Sequence, residues 1–366
     1  MRILVATDAW HPQVNGVVRT YERLAHELER LGIELSILAP NEFHTLPCPT
    51  YPEIRLALPG WRRLARHFEA LQPDAVHIAT EGPIGWMARR YCRSRSIAFT
   101  TSFHTRFPEY LEHRFAIPPR WTTAILRSFH NGGRGLMVAT PSLARELAQQ
   151  GFERVMPWTR GVDLDLFRPR QVRHFGEDPV FLYVGRIATE KNIEAFLKLD
   201  LPGRKVVVGA GPDLAELTGR YRDVFFTGKK TGEALAECYA SADVFVFPSR
   251  TDTFGMVLLE AMASGLPIAA FPATGPIDIV TPGETGVLSE DLRAAALSAQ
   301  MLNRKRVRAM AADYSWENAA RLFVGNITTA CMGDQKRAQN MAALGSGKSS
   351  RHHWQPQSTA KNSPRI

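Results

Sequence analysis

Two unbroken apolar runs, Val180-Phe-Leu-Tyr-Val184 and Val244-Phe-Val-Phe247, limit what this 366-residue chain can fold into. Neither alternates apolar with polar residues, so neither suits a strand with one wet face. Such runs are strands buried on both faces, as in a parallel sheet covered by helices. The residues after the second run add the most. Pro248 to Asp252 is a polar loop, Gly255 opens a run of helix formers from Val257 to Ala263, and Gly265-Leu-Pro267 closes it. Gly followed by Pro is a helix stop. Strand, loop and helix in that order put the loop at the carboxyl end of a parallel strand, where open α/β sheets bind ligands. The free amides at the helix start favour phosphate. Glu260, about one and a half turns into the helix, brings a carboxylate beside whatever the amides hold.

The same grammar recurs along the chain. Ile3-Leu-Val-Ala6 reads as a buried strand, followed by a loop from Asp8 to Gly16. A helix is expected over Val17–Leu31, with Tyr21, Leu24, Ala25, Leu28 and Leu31 on one face, and Glu34–Ala39 is the next strand. Gly16 at the helix start reads either as a turn glycine or as a close backbone approach to a ligand. Further strands fall at Pro73–Ala79 and Ser96–Ser102. The latter runs into Phe103-His104, which predicts an exposed His104 at a strand's carboxyl end. A helix is expected from Trp86 to Cys92 and another over 119–131, whose stripe of Trp121, Ala124, Ile125 and Phe129 is expected to pack on the sheet. The alternative for that stripe is an acceptor or membrane face. Gly135–Ser142 reads as a strand into a Ser-capped helix.

In the second half, Val180–Val184 leads into Gly185-Arg-Ile-Ala-Thr-Glu-Lys-Asn192. Arg186 and Lys191 stand five apart in a strand-to-helix loop, where two cations can clamp a pyrophosphate. Strands follow near Lys205, Val224, Ile268 and Gly286, and a helix near Ser315-Trp-Glu-Asn318 is expected to cross back to the first half. The reading is α/β: two Rossmann-like, doubly wound parallel-sheet domains facing a cleft, residues 1–165 and 166–330. Residues 331–366, rich in Ser, Gln, Pro and Lys, read as a basic disordered tail.

Several function classes are excluded. Cys48, Cys92, Cys238 and Cys331 lie far apart with no Cys-x-x-Cys, so neither a disulfide framework nor a zinc site is indicated. Gly209-x-Gly211 lacks the third glycine of a dinucleotide fingerprint, since Leu214 stands there. Asp163-Leu-Asp165 spells a metal-type Asp-x-Asp but sits in a linker, and no metal is expected. Gly345-Ser-Gly-Lys-Ser-Ser350 lacks both the first glycine and the preceding strand of a phosphate loop. No apolar run approaches a membrane span, and the start reads as a strand rather than a signal peptide, so the expected setting is the cytoplasm. Residues 55–134 hold 13 arginines against 5 acids, a net +8, and the 331–366 tail adds +5. No nucleic-acid motif accompanies this charge. The readings kept are a solvated surface or contact with anionic lipid.

The spacing of Asp252, Thr-Phe-Gly and Glu260, eight residues after the acid, resembles the acid-x7-Glu motif of retaining glycosyltransferases of family 4. The resemblance extends to the Gly-Arg-x4-Lys-Asn segment (185–192), to Ser-Phe-His-Thr (102–105) and to the Gly-Val-Asp…Phe-x-Pro linker (161–169), and covers roughly residues 1–330. It implies the GT-B fold and hexosyl transfer from a nucleotide-diphosphate sugar with no metal or other cofactor. Glu260 would hold the ribose diol, and Asp252 the donor sugar. Arg186, Lys191 and the amides near Gly16, Gly255 and Met256 would take the diphosphate. Phe254 would shape the loop, and His104 would approach the sugar from the facing domain. Many relatives have Glu where this chain has Asp252, which leaves UDP-glucose, UDP-glucuronate, UDP-galactose and GDP-mannose open as donors. The closest pattern is that of bacterial lipid hexosyl- and mannosyltransferases, implying a lipid acceptor at the inner face of the cytoplasmic membrane, with residues 55–134 and the tail against anionic lipid. Polysaccharide or lipopolysaccharide assembly is the alternative, and a nucleotide-sugar epimerase or a non-catalytic sugar-nucleotide binder are the rivals.

Overall fold

The computed structural model describes residues 1–13, 16–48, 51–104, 119–252 and 254–332. The basic tail from residue 333 onward lies outside them. The first half comprises β1 (Arg2–Ala6), α1 (Gly16–Arg30), β2 (Glu34–Leu38), β3 (His44–Cys48), β4 (Tyr51–Leu58), α2 (Trp61–Leu71), β5 (Ala75–Ile78), α3 (Pro83–Ser94), β6 (Phe99–Phe103), α4 (Pro119–His130), β7 (Gly135–Val138), α5 (Pro141–Gln149) and β8 (Val155–Pro157). The second comprises β9 (Val180–Val184), α6 (Glu194–Leu197), β10 (Arg204–Val208), α7 (Leu214–Arg220), β11 (Phe225–Gly228), α8 (Gly232–Ala240), β12 (Val244–Phe247), α9 (Met256–Ala263), β13 (Ile268–Ala270), α10 (Pro276–Ile279), β14 (Gly286–Leu288), α11 (Leu292–Ala299), α12 (Arg304–Ala311) and α13 (Trp316–Cys331).

Each half builds a six-stranded parallel sheet. The orders are β2-β1-β5-β6-β7-β8 and β11-β10-β9-β12-β13-β14, while β3 and β4 form a separate antiparallel ribbon. The runs that predicted two-faced burial deliver it: every residue of β9 and β12 is buried. In the second sheet the chain leaves β9 toward β10 on one side, and β12 leads to β13 on the other. The loops after β9 and β12 therefore diverge and leave a crevice, the topological switch point of a doubly wound sheet. In the first sheet, β1 and β5 hold the same position.

The linker between the halves is an ordered, hydrogen-bonded segment. Val162 pairs with Ser315 as an isolated parallel bridge, and its N–H donates to the Tyr314 carbonyl at 2.8 Å. Outgoing linker and returning chain pass so closely that a Cβ at Gly161 would lie 2.5 Å from both N and Cα of Trp316. Helix α13 then crosses to the first sheet. Its Phe323, Val324 and Ile327 share a core with Ile3, Val5, Tyr21, Leu24 and Trp158. Trp158 Nε1 donates to the Ala319 carbonyl, and Asn326 Nδ2 to the Pro157 carbonyl. The Asp163 carboxylate is occupied by the linker: Oδ1 accepts from the amides of Asp165 and Leu166, and Oδ2 from Arg23 on α1.

Local expectations needed three corrections. Helix α3 starts at Pro83, earlier than Trp86, because the Asp8 carboxylate, far away in sequence, accepts from the Ile84 and Gly85 amides and caps the helix from outside. Helix α5 is capped by Thr140, whose hydroxyl accepts from Leu143 N, and not by Ser142. Pro141 takes the first helical position, as proline prefers. Ser142 instead binds across the cleft: its amide donates to Asp278 Oδ1 at 2.9 Å and its hydroxyl to Asp278 Oδ2. In α4 the inward stripe is Thr122, Leu126, Phe129 and His130; of the expected stripe only Phe129 faces the sheet. Trp121 and Ile125 are 63% and 54% exposed. The core accepts polar His130 because Thr101 and Glu81 meet its two ring nitrogens.

Candidate active site

The second-domain half of the site is two loops stitched together at the switch point. Lys191 Nζ donates to Asp252 Oδ1 at 2.5 Å, Asn192 Nδ2 donates to the Pro248 carbonyl and Thr251 Oγ1 to the Glu190 carbonyl. Both members of the ion pair are about a quarter exposed, open to the cleft and not sealed in the core. Arg186 is half exposed and stands 4.0 Å from Glu190. A third loop presses on the first from beside it. A Cβ at Gly209 would lie 1.8 Å from the Gly185 carbonyl oxygen, and one at Gly211 2.0 Å from that of Ile187. The Gly-x-Gly that mimics a dinucleotide signature exists to let these two strand-end loops touch.

Gly255 stands at φ +83° just before α9, a left-handed conformation that a side chain would strain. It turns the chain so that Met256 begins the helix while Phe254 tucks into the core at 6% exposure. About one turn on, Glu260 is buried at 8% exposure, and its Oε2 accepts from Tyr239 Oη at 2.8 Å. Desolvation pushes its pKa from 4.5 up to about 7, against the opposing Tyr239 hydrogen bond and the charge of Arg19. Arg19 belongs to α1, so the field at Glu260 is set partly from the facing domain.

On the first-domain side, Gly16 is the first residue of α1, and a Cβ there would meet no atom within 4 Å. Packing therefore does not require glycine at this position. His104 follows β6 as expected, but its ring is not exposed. Arg160 Nη2 donates to its Nδ1 at 2.9 Å, and its Nε2 lies 3.1 Å from Tyr21 Oη. A strand-end position does point outward, but these two long-range partners draw the ring inward. Burial, then the neighbouring Arg160 charge, hold its pKa well below the ordinary 6.5.

Sequence reasoning missed Tyr21, Arg160, Tyr239 and Arg19 as participants. Tyr21 and Tyr239 carried a usable signal, since a tyrosine on an apolar helix face must find a partner for its hydroxyl. Arg160 and Arg19 carried none. Among the described residues, no three His, Cys, Asp or Glu side chains gather into a metal-binding group.

Comparison with known proteins places this arrangement. Two family descriptions tile the chain: "Glycosyltransferase Family 4" over residues 14–166 and "Glycosyl transferases group 1" over residues 167–315. A GDP-mannose-dependent alpha-mannosyltransferase of Mycobacterium tuberculosis (strain CDC 1551 / Oshkosh) is 32% identical over 317 residues, spanning 79% of this chain and 83% of that protein. The alpha-monoglucosyldiacylglycerol synthase of Streptococcus pneumoniae (strain ATCC BAA-255 / R6) is 25% identical, over 74% of this chain and 71% of its own length. Among solved structures, a sucrose-phosphate synthase from Thermosynechococcus elongatus superposes with a TM-score of 0.70 at 20% identity, over 93% of this chain and 99% of that one. That last likeness bears on the fold alone. Taken with the two parallel sheets and their switch points, the sequence relationship is decisive: the chain belongs to glycosyltransferase family 4 and is a glycosyltransferase of the GT-B fold.

Proposed function

We propose that this glycosyltransferase moves a hexosyl group, with retention at the anomeric carbon and without a metal, from a nucleotide-diphosphate sugar to a membrane lipid. The observation that carries the reading is the Lys191–Asp252 pair, open to the cleft, between Arg186 and the start of α9, with buried Glu260 one helical turn beyond. In this reading Glu260 accepts both hydroxyls of the donor ribose, a task that suits its two oxygens. Arg186, Lys191 and the amides at Gly255 and Met256 receive the diphosphate. Phe254, locked in the core, fixes the loop that carries them. Gly16 lets the facing helix start approach the same phosphates. Asp252 accepts hydroxyls of the transferred sugar, and His104 borders the sugar from the other domain.

The chemistry follows from charge. As the bond between the anomeric carbon and the phosphate oxygen breaks, negative charge grows on the diphosphate. Two cations and the helix-start amides, already in place, stabilise it. Lys191 holds a position in the cleft through Asp252 and can share its remaining hydrogens with phosphate. The acceptor hydroxyl attacks on the face the diphosphate leaves, and its proton passes to the departing phosphate oxygen. No protein nucleophile is required. These cations do the charge neutralisation that a divalent ion would otherwise do.

GDP-mannose is the first donor to test, since the mycobacterial relative is described as dependent on it. A lipid acceptor is favoured by the diacylglycerol-glycosylating relative and by the protein's own surface. Exposed Trp121 and Ile125 beside Arg120, within the arginine-rich 55–134 region, suit peripheral contact with an anionic membrane face, which we assign to the cytoplasmic side. No helix among the described residues is long and apolar enough to cross a membrane. The test is incubation of the protein with anionic vesicles and labelled GDP-mannose or UDP-hexoses, then lipid extraction. Label in an extracted lipid is expected. Label only in polysaccharide defeats the lipid reading, and solvent deuterium entering the sugar nucleotide without transfer would make the protein an epimerase.

A further inference from the structure

Behind His104 runs a chain of polar groups that the transfer steps above do not use. Arg160 Nη2 meets His104 Nδ1 at 2.9 Å, and His104 Nε2 lies 3.1 Å from Tyr21 Oη. Tyr21 Oη lies 2.9 Å from His77 Nε2, and His77 Nδ1 lies 2.8 Å from Thr100 Oγ1. Linker, β6, α1 and β5 each contribute a member. Tyr21 and His77 are fully buried, and Arg160 is 6% exposed.

The direction of this chain is determined at one end. A guanidinium only donates hydrogen bonds. His104 Nδ1 must therefore accept, so the neutral ring carries its proton on Nε2 and donates it to Tyr21. The Tyr21 hydroxyl then donates onward to His77 Nε2 or to Ser102 Oγ, which lies 3.4 Å from Tyr21 Oη and 2.8 Å from His77 Nε2, so the order imposed by Arg160 ends at Tyr21. Protonating His104 would set a second N–H against the guanidinium and a second cation beside it.

Among the described residues, the charged and titratable groups facing His104 include Arg160, Tyr21, His77 and, from the end of α4, His130. Burial lowers the Arg160 pKa only to about 10, so it stays a cation at neutral pH. Among the described residues, no carboxylate lies within ion-pair distance of it. Its other supports are the Trp158 carbonyl at 2.9 Å and the Trp158 ring, 4.3 Å from its guanidinium carbon. A buried cation without a counter-ion is unfavourable for folding, and such groups cluster where function uses them.

We propose that Arg160 is a positioning residue for sugar transfer, holding His104 in one neutral tautomer and one ring orientation at the cleft end of β6. The proposal rests on the reading that residue 104 borders the transferred sugar. Arg160 touches no reacting atom and acts through His104.

The test uses the full chain in three variants. Arg160→Gln removes the charge, Arg160→Lys keeps it, and His104→Ala tests the underlying reading. Nitrogen-15 NMR of the wild type should show His104 as the Nε2–H tautomer from pH 5 to 8. In Arg160→Gln the His104 pKa rises, because the facing charge is gone while burial remains, and kcat gains an acidic limb that the wild type lacks, its deficit growing as pH falls. The donor KM should change less than kcat, and Arg160→Lys should restore the wild-type pH profile. Thermal unfolding establishes that each variant is folded. A wild-type His104 that carries its proton on Nδ1 overturns the proposal. So does a kcat loss in Arg160→Gln of equal size at every pH, the result a merely structural role would give. Full kcat in His104→Ala would instead overturn the placement of residue 104 at the sugar, and the positioning role with it, whatever the tautomer.

Discussion

Glu260 brings a carboxylate into the core of the second domain, and replacing it with glutamine separates what that burial does to stability from what it does for binding. Burial raises its pKa from 4.5 to about 7. At about 1.4 kcal/mol per unit, that shift is worth about 3 kcal/mol. The sign follows from which state ionises first. Below pH 4.5 the group is protonated in both folded and unfolded chains, so nothing is lost. As pH rises, the unfolded chain ionises near 4.5 while the folded protein retains its proton until about 7. Stability therefore falls across that window and stays lost above it. Glu260→Gln has no proton to lose, keeps the side-chain volume, and leaves an oxygen for Tyr239 Oη. The expected result is near-equal stability of the two proteins at pH 5 and a variant more stable by up to about 3 kcal/mol at pH 8, several degrees in Tm for a domain of this size. Denaturant melts of the nucleotide-free protein at pH 5, 6, 7 and 8 measure it, and groups common to both proteins cancel. Donor affinity should move the other way, falling about tenfold or more at pH 8 as the charged acceptor for the ribose is lost. A stability gap of the same size at pH 5 and pH 8 would refute the desolvation argument. Unchanged donor affinity would refute the ribose assignment.

Three further outcomes are expected. Lys191→Ala should lower kcat about 10²- to 10³-fold while melting like the wild type, because its ion pair with Asp252 is partly exposed and adds little to folding; near-normal turnover would contradict the diphosphate clamp. Gly161→Ala should destabilise the protein by about 1–3 kcal/mol, since its Cβ would press on Trp316 backbone atoms that cannot swing aside. Gly16→Ala, whose Cβ meets nothing, should change stability by less than about 0.5 kcal/mol yet weaken donor binding. Equal melting of Gly161→Ala, Gly16→Ala and the wild type would undo the packing argument.

The architecture was legible because buried parallel strands leave a one-dimensional mark. Val180–Val184 and Val244–Phe247 are apolar at every position, and both emerge fully buried at the centre of the sheet. The loops that follow them could be placed at a ligand crevice for the same reason. Helix α4 was harder. Its hydropathy pattern put Trp121 and Ile125 inside, whereas the core takes Thr122 and His130, and His130 becomes acceptable there only once Thr101 and Glu81 are present to bond it. The start of α3 and the cap of α5 were missed for a similar reason: Asp8 caps α3 from another loop, and Ser142, expected as a cap, serves Asp278 instead.

Along the chain itself, hydropathy and turn chemistry act locally, and they determined the two sheets, the strand-end loops and the residues those loops carry. Whom each polar group meets was decided only by tertiary structure. Lys191 and Asp252 are 61 residues apart, Tyr21 and His104 are 83 apart, and Arg160 and His104 are 56 apart. Side-chain hydrogen bonds over such separations depend on how the sheets twist and on where the linker passes, and neither leaves a periodic trace in the sequence. His104 could thus be located at the carboxyl end of a strand from sequence, while its contacts with Arg160 and Tyr21 exist only in the folded protein.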